Sequence, residues 1–294
     1  MSSLRIGTAV FGLNYGITNA RGRVSASEAK EIIAEAVTVG IKRFDTAHAY
    51  GNAERIIGES GYSRLLDITT KVRIESDRIE RSTLRLLSSQ AIESLENLKV
   101  NSVNCLLIHG VDKLGEESKR ILSDWLLDKK SEGLALKTGV SIYDIEELNG
   151  ITEDALDVVQ LPMSVYDQRR VNDGTLERLY SDGKIIQARS IFLQGLILQG
   201  HKDWPGWICE TDKMHHRRFC EFVEDNSLTL QEAAVKFATR REVGEIVAGI
   251  TSAQELSSLN LAFKKMSQEQ CRDMKEWALN SLELLDPRKW PRIS

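Results

Sequence analysis

Phe44-Asp45-Thr46-Ala47-His48-Ala49-Tyr50-Gly51-Asn52-Ala53-Glu54 is the stretch whose reading decides the fold. Ile41 and Phe44 make its approach a strand, and Gly51 turns it into a helix carrying Ile56 and Ile57. An acid, Asp45, and a phenol, Tyr50, fall five residues apart at a strand-to-helix turn. In a chain of βα repeats, that edge is where catalytic groups collect. Taken alone, the pair reads more simply as a turn capped by Asp45 with Tyr50 packed beside it. The flanking sequence has to shift that balance.

Working outward, apolar runs place strands at 4–11, 41–46, 67–72, 103–109, 136–142, 155–162, 185–192 and 245–249. The run at 103–109 is nearly continuous, as in a strand buried on both faces. Helical periodicity falls between the strands. Ser25-Ala26-Ser27-Glu28 is a capping box, and Ala29, Ile32, Ile33, Ala36 and Val37 form one face behind it, ended by Gly40. Further helices are expected at 54–59, 82–98, 117–132, 144–148, 174–180, 214–224, 229–239 and 252–263, with an extra C-terminal helix over 267–285. A long loop with Trp204 and Trp207 occupies 194–211. Strand and helix alternate eight times with no linker or composition break, which predicts a single (β/α)8 TIM barrel domain over residues 1–294. A doubly wound sheet is the alternative, but its G-x-G-x-x-G fingerprint is missing.

Composition narrows the class. Hydrophobic residues at 41% and charged residues at 28% suit a globular chain with a sizeable core. A net charge of -4 argues against a nucleic-acid partner. Cys105, Cys209, Cys220 and Cys271 show no C-x-x-C spacing, so neither a metal site nor a disulfide framework is indicated. No leader-like segment or membrane-length apolar run occurs, and the chain reads as cytoplasmic.

In a barrel the C-terminal strand ends share one mouth. Asp45, Lys71 and His109 sit at three successive ends, with Tyr50 just beyond Asp45. A lone Lys there is usually solvated and a lone His structural; four such groups on adjacent strands are harder to dismiss. A phenol titrates near ~10 and a neighbouring ammonium lowers that value. Asp45 would hold Lys71 charged, Lys71 would ease the Tyr50 proton, and His109 would orient a carbonyl oxygen. The set suits protonation of an oxyanion as hydride reaches carbon.

These residues carry a resemblance to the aldo-keto reductases. Their signature D-T-A-x-x-Y-G-x-x-E stands here as Asp45 to Glu54. The likeness continues through Ile68-Thr69-Thr70-Lys71, Leu106-Leu107-Ile108-His109, Gly139-Val140-Ser141, Val158-Val159-Gln160, Ala188-Arg189-Ser190, Gly195-Leu196 and Val247-Ala248-Gly249-Ile250-Thr251-Ser252. The opening, with Phe11-Gly12-Leu13-Asn14-Tyr15-Gly16, resembles a bacterial branch associated with surface-sugar biosynthesis. The resemblance implies metal-free reduction of an aldehyde or ketone, with a sugar or sugar-nucleotide carbonyl as the candidate substrate, by NADPH, with NADH as the alternative. It implies Tyr50 as general acid, Lys71 and Asp45 as its tuners, and His109 as the orienting group. By the same resemblance the cofactor lies along Gly7, Thr8, Asp45, Ser141, Gln160, Arg189, Ser190, Gly195, Gly249, Thr251 and Ser252.

Four positions, in three departures, differ from the family pattern. Ile142 replaces an Asn, Arg189 replaces an aromatic that stacks on nicotinamide, and Ile250 and Glu255 replace the basic residues that hold the 2′-phosphate. Ser252-Ala253-Gln254-Glu255 is also a capping box in its own right. Tyr15, His48, Trp204 and Trp207 are candidates to line the substrate pocket, although the two Trp residues would equally serve to pin their loop. Two competing readings are a non-catalytic cofactor-binding regulator and a barrel lyase or epimerase acting through Lys71. Substrate, reaction direction and oligomeric state are left open.

Overall fold

The computed structural model describes residues 2–268 and 274–291. Eight strands, β1 Ser3–Gly7, β2 Arg43–Asp45, β3 Asp67–Arg73, β4 Val103–His109, β5 Ala135–Ser141, β6 Val158–Pro162, β7 Ile185–Arg189 and β8 Glu245–Gly249, pair in chain order into a closed barrel. Every pairing is parallel, and β8 closes on β1. This is the expected (β/α)8 barrel. Around it lie α1 Ala26–Thr38, α2 Ala53–Glu59, α3 Arg81–Leu98, α4 Glu116–Ser131, α5 Thr175–Ser181, α6 Glu210–Asp225, α7 Leu230–Ala238 and α8 Ala253–Met266. No helix among the described residues is long and apolar enough to cross a membrane.

The capping box at Ser25 and Glu28 closes reciprocally and starts α1, whose Ala29, Ile32, Ile33 and Ala36 are buried. Most of the core is a shell between sheet and helices. The lumen is different. One side is apolar, with Cys105, Leu107 and Val158 packed against Ile185. The other is polar. Arg5 donates to Glu245 from Nε at 2.7 Å and to Asp67 from Nη2 at 3.0 Å. Gln187 donates to Glu245 at 2.7 Å, Gln160 donates to Gln187 at 3.0 Å, and Gln160 donates to Asp45 at 2.7 Å. A hydrogen-bonded chain thus runs through the barrel from its floor to its mouth.

Several sequence expectations need correction. The first strand ends at Gly7, and Val10 and Phe11 are buried in a helical turn, Ala9–Gly12. Between β5 and β6 there is no α-helix, only the 3-10 turns Ile145–Leu148 and Glu153–Ala155. The last strand residue of β7 is Arg189; the chain then enters left-handed backbone at Ser190. The C-terminal tail is not one helix over 267–285. Its described residues form the 3-10 turn Lys275–Trp277 and the short helix Leu282–Leu285. Residues 269–273 of that expectation, with Cys271, lie outside the described residues.

Register brings the strand ends level. Gly7 pairs with Asp45 and with Gly249, His109 pairs with Ser141, and Ser141 pairs with Gln160. Residues from six strands therefore surround one opening.

Candidate active site

Tyr50 owes its place to two glycines. The turn before α2 hangs on β3, with His48 N–H donating to the Lys71 carbonyl at 3.0 Å. Gly51 adopts φ +54, which a side chain resists. Behind it, a Cβ on Gly12 would lie 1.7 Å from the Tyr50 carbonyl oxygen, so only glycine permits this approach. Glu54 is buried and accepts from Thr70 Oγ1, tying α2 to β3.

The Lys71 ammonium is wholly buried and donates to Asp45 Oδ2 at 2.6 Å and to the Thr46 carbonyl at 2.8 Å. It sits 5.2 Å from the centre of the Tyr50 ring. The Tyr50 and His109 ring centres are 6.5 Å apart. These four side chains therefore share one cluster, with Lys71 and Asp45 buried and Tyr50 and His109 half-buried.

The electrostatics differ from the sequence expectation in one respect. Burial, and then the Asp45 carboxylate, push the Tyr50 phenol above its ordinary range instead of below it. Lys71 is spent on Asp45, and burial drags its own ammonium below the usual range against the pull of that carboxylate. Burial, with Lys71 and Arg189 nearby, holds the His109 imidazole well below its ordinary value. At neutral pH the cluster holds a protonated phenol and a neutral imidazole beside the hydrogen-bonded Lys71 and Asp45.

A cleft of about 520 Å³ opens from this cluster. Gly7, Asp45, Tyr50, Gln160, Arg189, Ser190, Gly195, Gly249, Thr251 and Tyr15 line it. Of the remaining sequence candidates, Thr8 is buried and donates to the Asp45 carbonyl, Ser141 donates to Gln160 Oε1 at 3.0 Å, and Ser252 Oγ caps α8. His48 points to Glu93 at 3.0 Å. Trp204 is only 4% exposed, donates to the Leu196 carbonyl and stacks on His216. Trp207 packs on Trp290. None of these three lines the cleft; Trp204 pins its loop.

Two departures noted in the sequence prove to be coupled. Arg189 Nη2 donates to the Ile142 carbonyl at 3.0 Å, and its guanidinium lies 4.1 Å from the Tyr143 ring centre. Arg288 of the tail covers the same ring at 3.7 Å. Arg189 Nε is buried without a hydrogen-bond partner, and the bonds of this guanidinium go to the neutral Ser190 hydroxyl and Ile142 carbonyl, with no carboxylate paired to it among the described residues. It is an uncompensated cation in the cleft wall.

Sequence reasoning also missed the loop after β1. Thr18 Oγ1 lies 3.3 Å from the Gln194 carbonyl, and Arg21 Nη1 lies 3.5 Å from the Thr251 carbonyl. The loop therefore reaches across to the segments after β7 and β8, and Asn19, Ala20 and Arg21 line the cleft. A polar loop of mixed composition carries no signal of such a crossing.

The cleft fits an extended dinucleotide. It runs from the Tyr50 cluster to the start of α8, glycines at 7, 195 and 249 keep its walls low, and Ser190 and Gln194 hold left-handed backbone along it at φ 60 and 52. Such non-glycine outliers concentrate at ligand clamps.

The family model for the aldo/keto reductase family matches residues 3–278. Among curated relatives, an aldo-keto reductase of Mycolicibacterium smegmatis is 32% identical over 44% of this chain and 45% of its own length. The methylglyoxal reductase DkgB of Escherichia coli O157:H7 is 32% identical over 46% and 52%. The D-galacturonate reductase of Fragaria ananassa is 29% identical over 50% and 51%. The chain thus spans about half the length of the curated relatives it matches. Of solved structures, an aldo-keto reductase from Bacillus halodurans superposes with TM-score 0.70 at 16% identity, covering 98% of this chain and 94% of that one. A thermostable aldo-keto reductase crystallised with an inhibitor gives TM-score 0.69 at 20% identity, with 94% of each chain covered. With the family model covering nearly the whole barrel, this chain belongs to the aldo/keto reductase family.

Proposed function

We propose that the chain reduces a small aldehyde or ketone with a reduced nicotinamide dinucleotide, Tyr50 acting as general acid. The observation that carries this reading is the cluster of Tyr50, Lys71, Asp45 and His109 at one end of the cleft. When bound, the dinucleotide supplies hydride to the carbonyl carbon. Tyr50 gives its proton to the carbonyl oxygen as negative charge gathers there. His109, neutral at pH 7, donates a hydrogen bond to the same oxygen and orients it. Lys71, locked by Asp45, stabilises the phenolate left behind. The elevated phenol keeps the acid loaded, and its transfer is completed by the charge developing on the substrate.

The reading as a lyase loses support from Lys71. Its ammonium is fully buried and engaged by Asp45 and Thr46, so it is badly placed to attack a carbonyl. The non-catalytic reading does not explain a phenol held against a buried ion pair. For substrate we propose a small polyhydroxy or sugar-derived carbonyl, in keeping with the opening motif and with relatives named for methylglyoxal and D-galacturonate. The deciding experiment is a titration of the full chain with reduced nicotinamide dinucleotides, then a screen of carbonyl compounds. Absence of binding at millimolar concentration would sink the reading.

Two further outcomes are expected. The Tyr50 phenol lies above its usual ~10 and His109 well below its usual ~6.5, so neither should titrate between pH 7 and about 9. The rate of reduction should then be flat over that range once saturation is ensured. A rate that falls with a midpoint near pH 8 would mean that a group of the cluster titrates there after all, either the phenol or the Lys71 ammonium that burial lowers. Arg189→Tyr should tighten binding of the oxidised dinucleotide by about tenfold, because the guanidinium repels a cationic ring, a difference of ~1.4 kcal/mol. The reduced form should change by no more than about threefold. Equal effects on both forms would remove Arg189 from the nicotinamide's surroundings.

A further inference from the structure

The geometry points to a dinucleotide with a free 2′-hydroxyl, of the NADH class, selected by Glu255 at the far end of the cleft. The inference rests on the cleft being the dinucleotide site proposed above, and it departs from the NADPH that family resemblance implies.

The far end is formed by Arg21, Gln231, Ile250, Thr251, Glu255 and Leu259. A 2′-phosphate needs cations and free N–H donors there. Two of those donors are already used. Glu255 Oε2 accepts the Thr251 N–H at 2.6 Å, and Ser252 Oγ accepts the Glu255 N–H at 3.2 Å. The start of α8 is thus capped by its own side chains.

The cations fail as well. Among the described residues Arg21 is the one cation lining this end, and its Nη2 is paired with Glu28 Oε1 at 2.7 Å. Lys264 and Lys265 stand in the last turn of α8. That is about 14 Å along the axis from its first residues at 1.5 Å per residue. Lys265 is in addition bonded to Glu232 at 2.7 Å. With Arg21 balanced by Glu28, Glu255 leaves this end net negative. A phosphate dianion would face that carboxylate. A ribose hydroxyl would instead donate to it: Glu255 Oε1 has no protein partner among the described residues. A carboxylate on the ribose 2′-hydroxyl is a known physical route to NADH selection in unrelated dinucleotide folds.

The test is isothermal titration calorimetry of the full chain with NADH and with NADPH at fixed ionic strength. NADH should bind at least about tenfold more tightly, as expected where like charges are juxtaposed. Glu255→Lys should reverse the order, raising NADPH affinity by at least about tenfold. Glu255→Gln should narrow the gap without reversing it, and Arg21→Ala should leave the ratio within about twofold. Circular dichroism and thermal melting confirm that each variant is folded. Tighter NADPH binding by the unaltered chain would overturn the inference while leaving the reductase reading intact. So would loss of NADPH binding confined to Arg21→Ala, or a ratio unmoved in folded Glu255→Lys. Binding of neither nucleotide by any variant would overturn both.

Discussion

Tyr50→Phe is expected to lower kcat about 10³-fold, within the range that general acid catalysis contributes. Dinucleotide affinity should stay within about twofold, and KM for the carbonyl within about fivefold, because only a transition-state proton transfer is removed. The variant should also fold, since the hydroxyl is not used to hold the turn. Backbone bonds to β3 and the approach of Gly12 do that. A regulator that only binds the dinucleotide would show no rate to lose. A loss of affinity equal to the loss of rate would make the phenol a binding group and move the acid elsewhere. His109→Asn, which keeps a donor while removing the imidazole, should cost less than Tyr50→Phe in kcat and more in the choice among carbonyl compounds.

The sequence held the candidate cluster in plain view because its members occupy strand ends, and parallel register does the rest. Gly7 pairs with Asp45, and His109 with Ser141 and then Gln160. Strand bounds were clear where an apolar run stops at polar residues, as at β4 and β8. They were overextended where burial outlasts the strand. Phe11 in its helical turn and Ile191 beyond β7 are buried like strand residues while their backbone is not extended. Hydrophobicity reports burial, not conformation. The sign of the Tyr50 shift could not be read either, because it is set first by burial and then by the nearby Asp45 carboxylate. Nor could the roles of Arg21, Gln187 and Glu245, whose partners are set by loop crossing and barrel closure.

The polar lumen gives the second large effect. Arg5 is 2% exposed and donates to Glu245, Asp67 and the Phe44 and Asp67 carbonyls, joining four strands at the barrel floor. Arg5→Met keeps the volume and removes every one of these donors. Stranding a buried carboxylate costs about 3 kcal/mol. In a chain of this size that corresponds to a Tm lower by roughly 5 °C. The loss should depend on pH in a definite sense. Burial works against the Glu245 carboxylate, but hydrogen bonds and charge from Arg5, with help from Gln187, hold its pKa below the usual value. A depressed carboxylate contributes stability that is present above the unfolded value near ~4.3 and lost as pH falls through the folded one. The variant lacks that contribution, so the gap between the two proteins should be full at pH 7 and close below about pH 4. Arg43 lies 3.4 Å from both Glu245 and Asp67 and reduces the effect by compensating part of the charge. Melting curves of both proteins from pH 3.5 to 7 decide the matter. A gap constant across that range would reduce Arg5 to a packing residue. A gap that closes in acid would show that the ionic floor of the barrel, which reaches Asp45 through Gln187 and Gln160, stabilises the fold beneath the candidate active site.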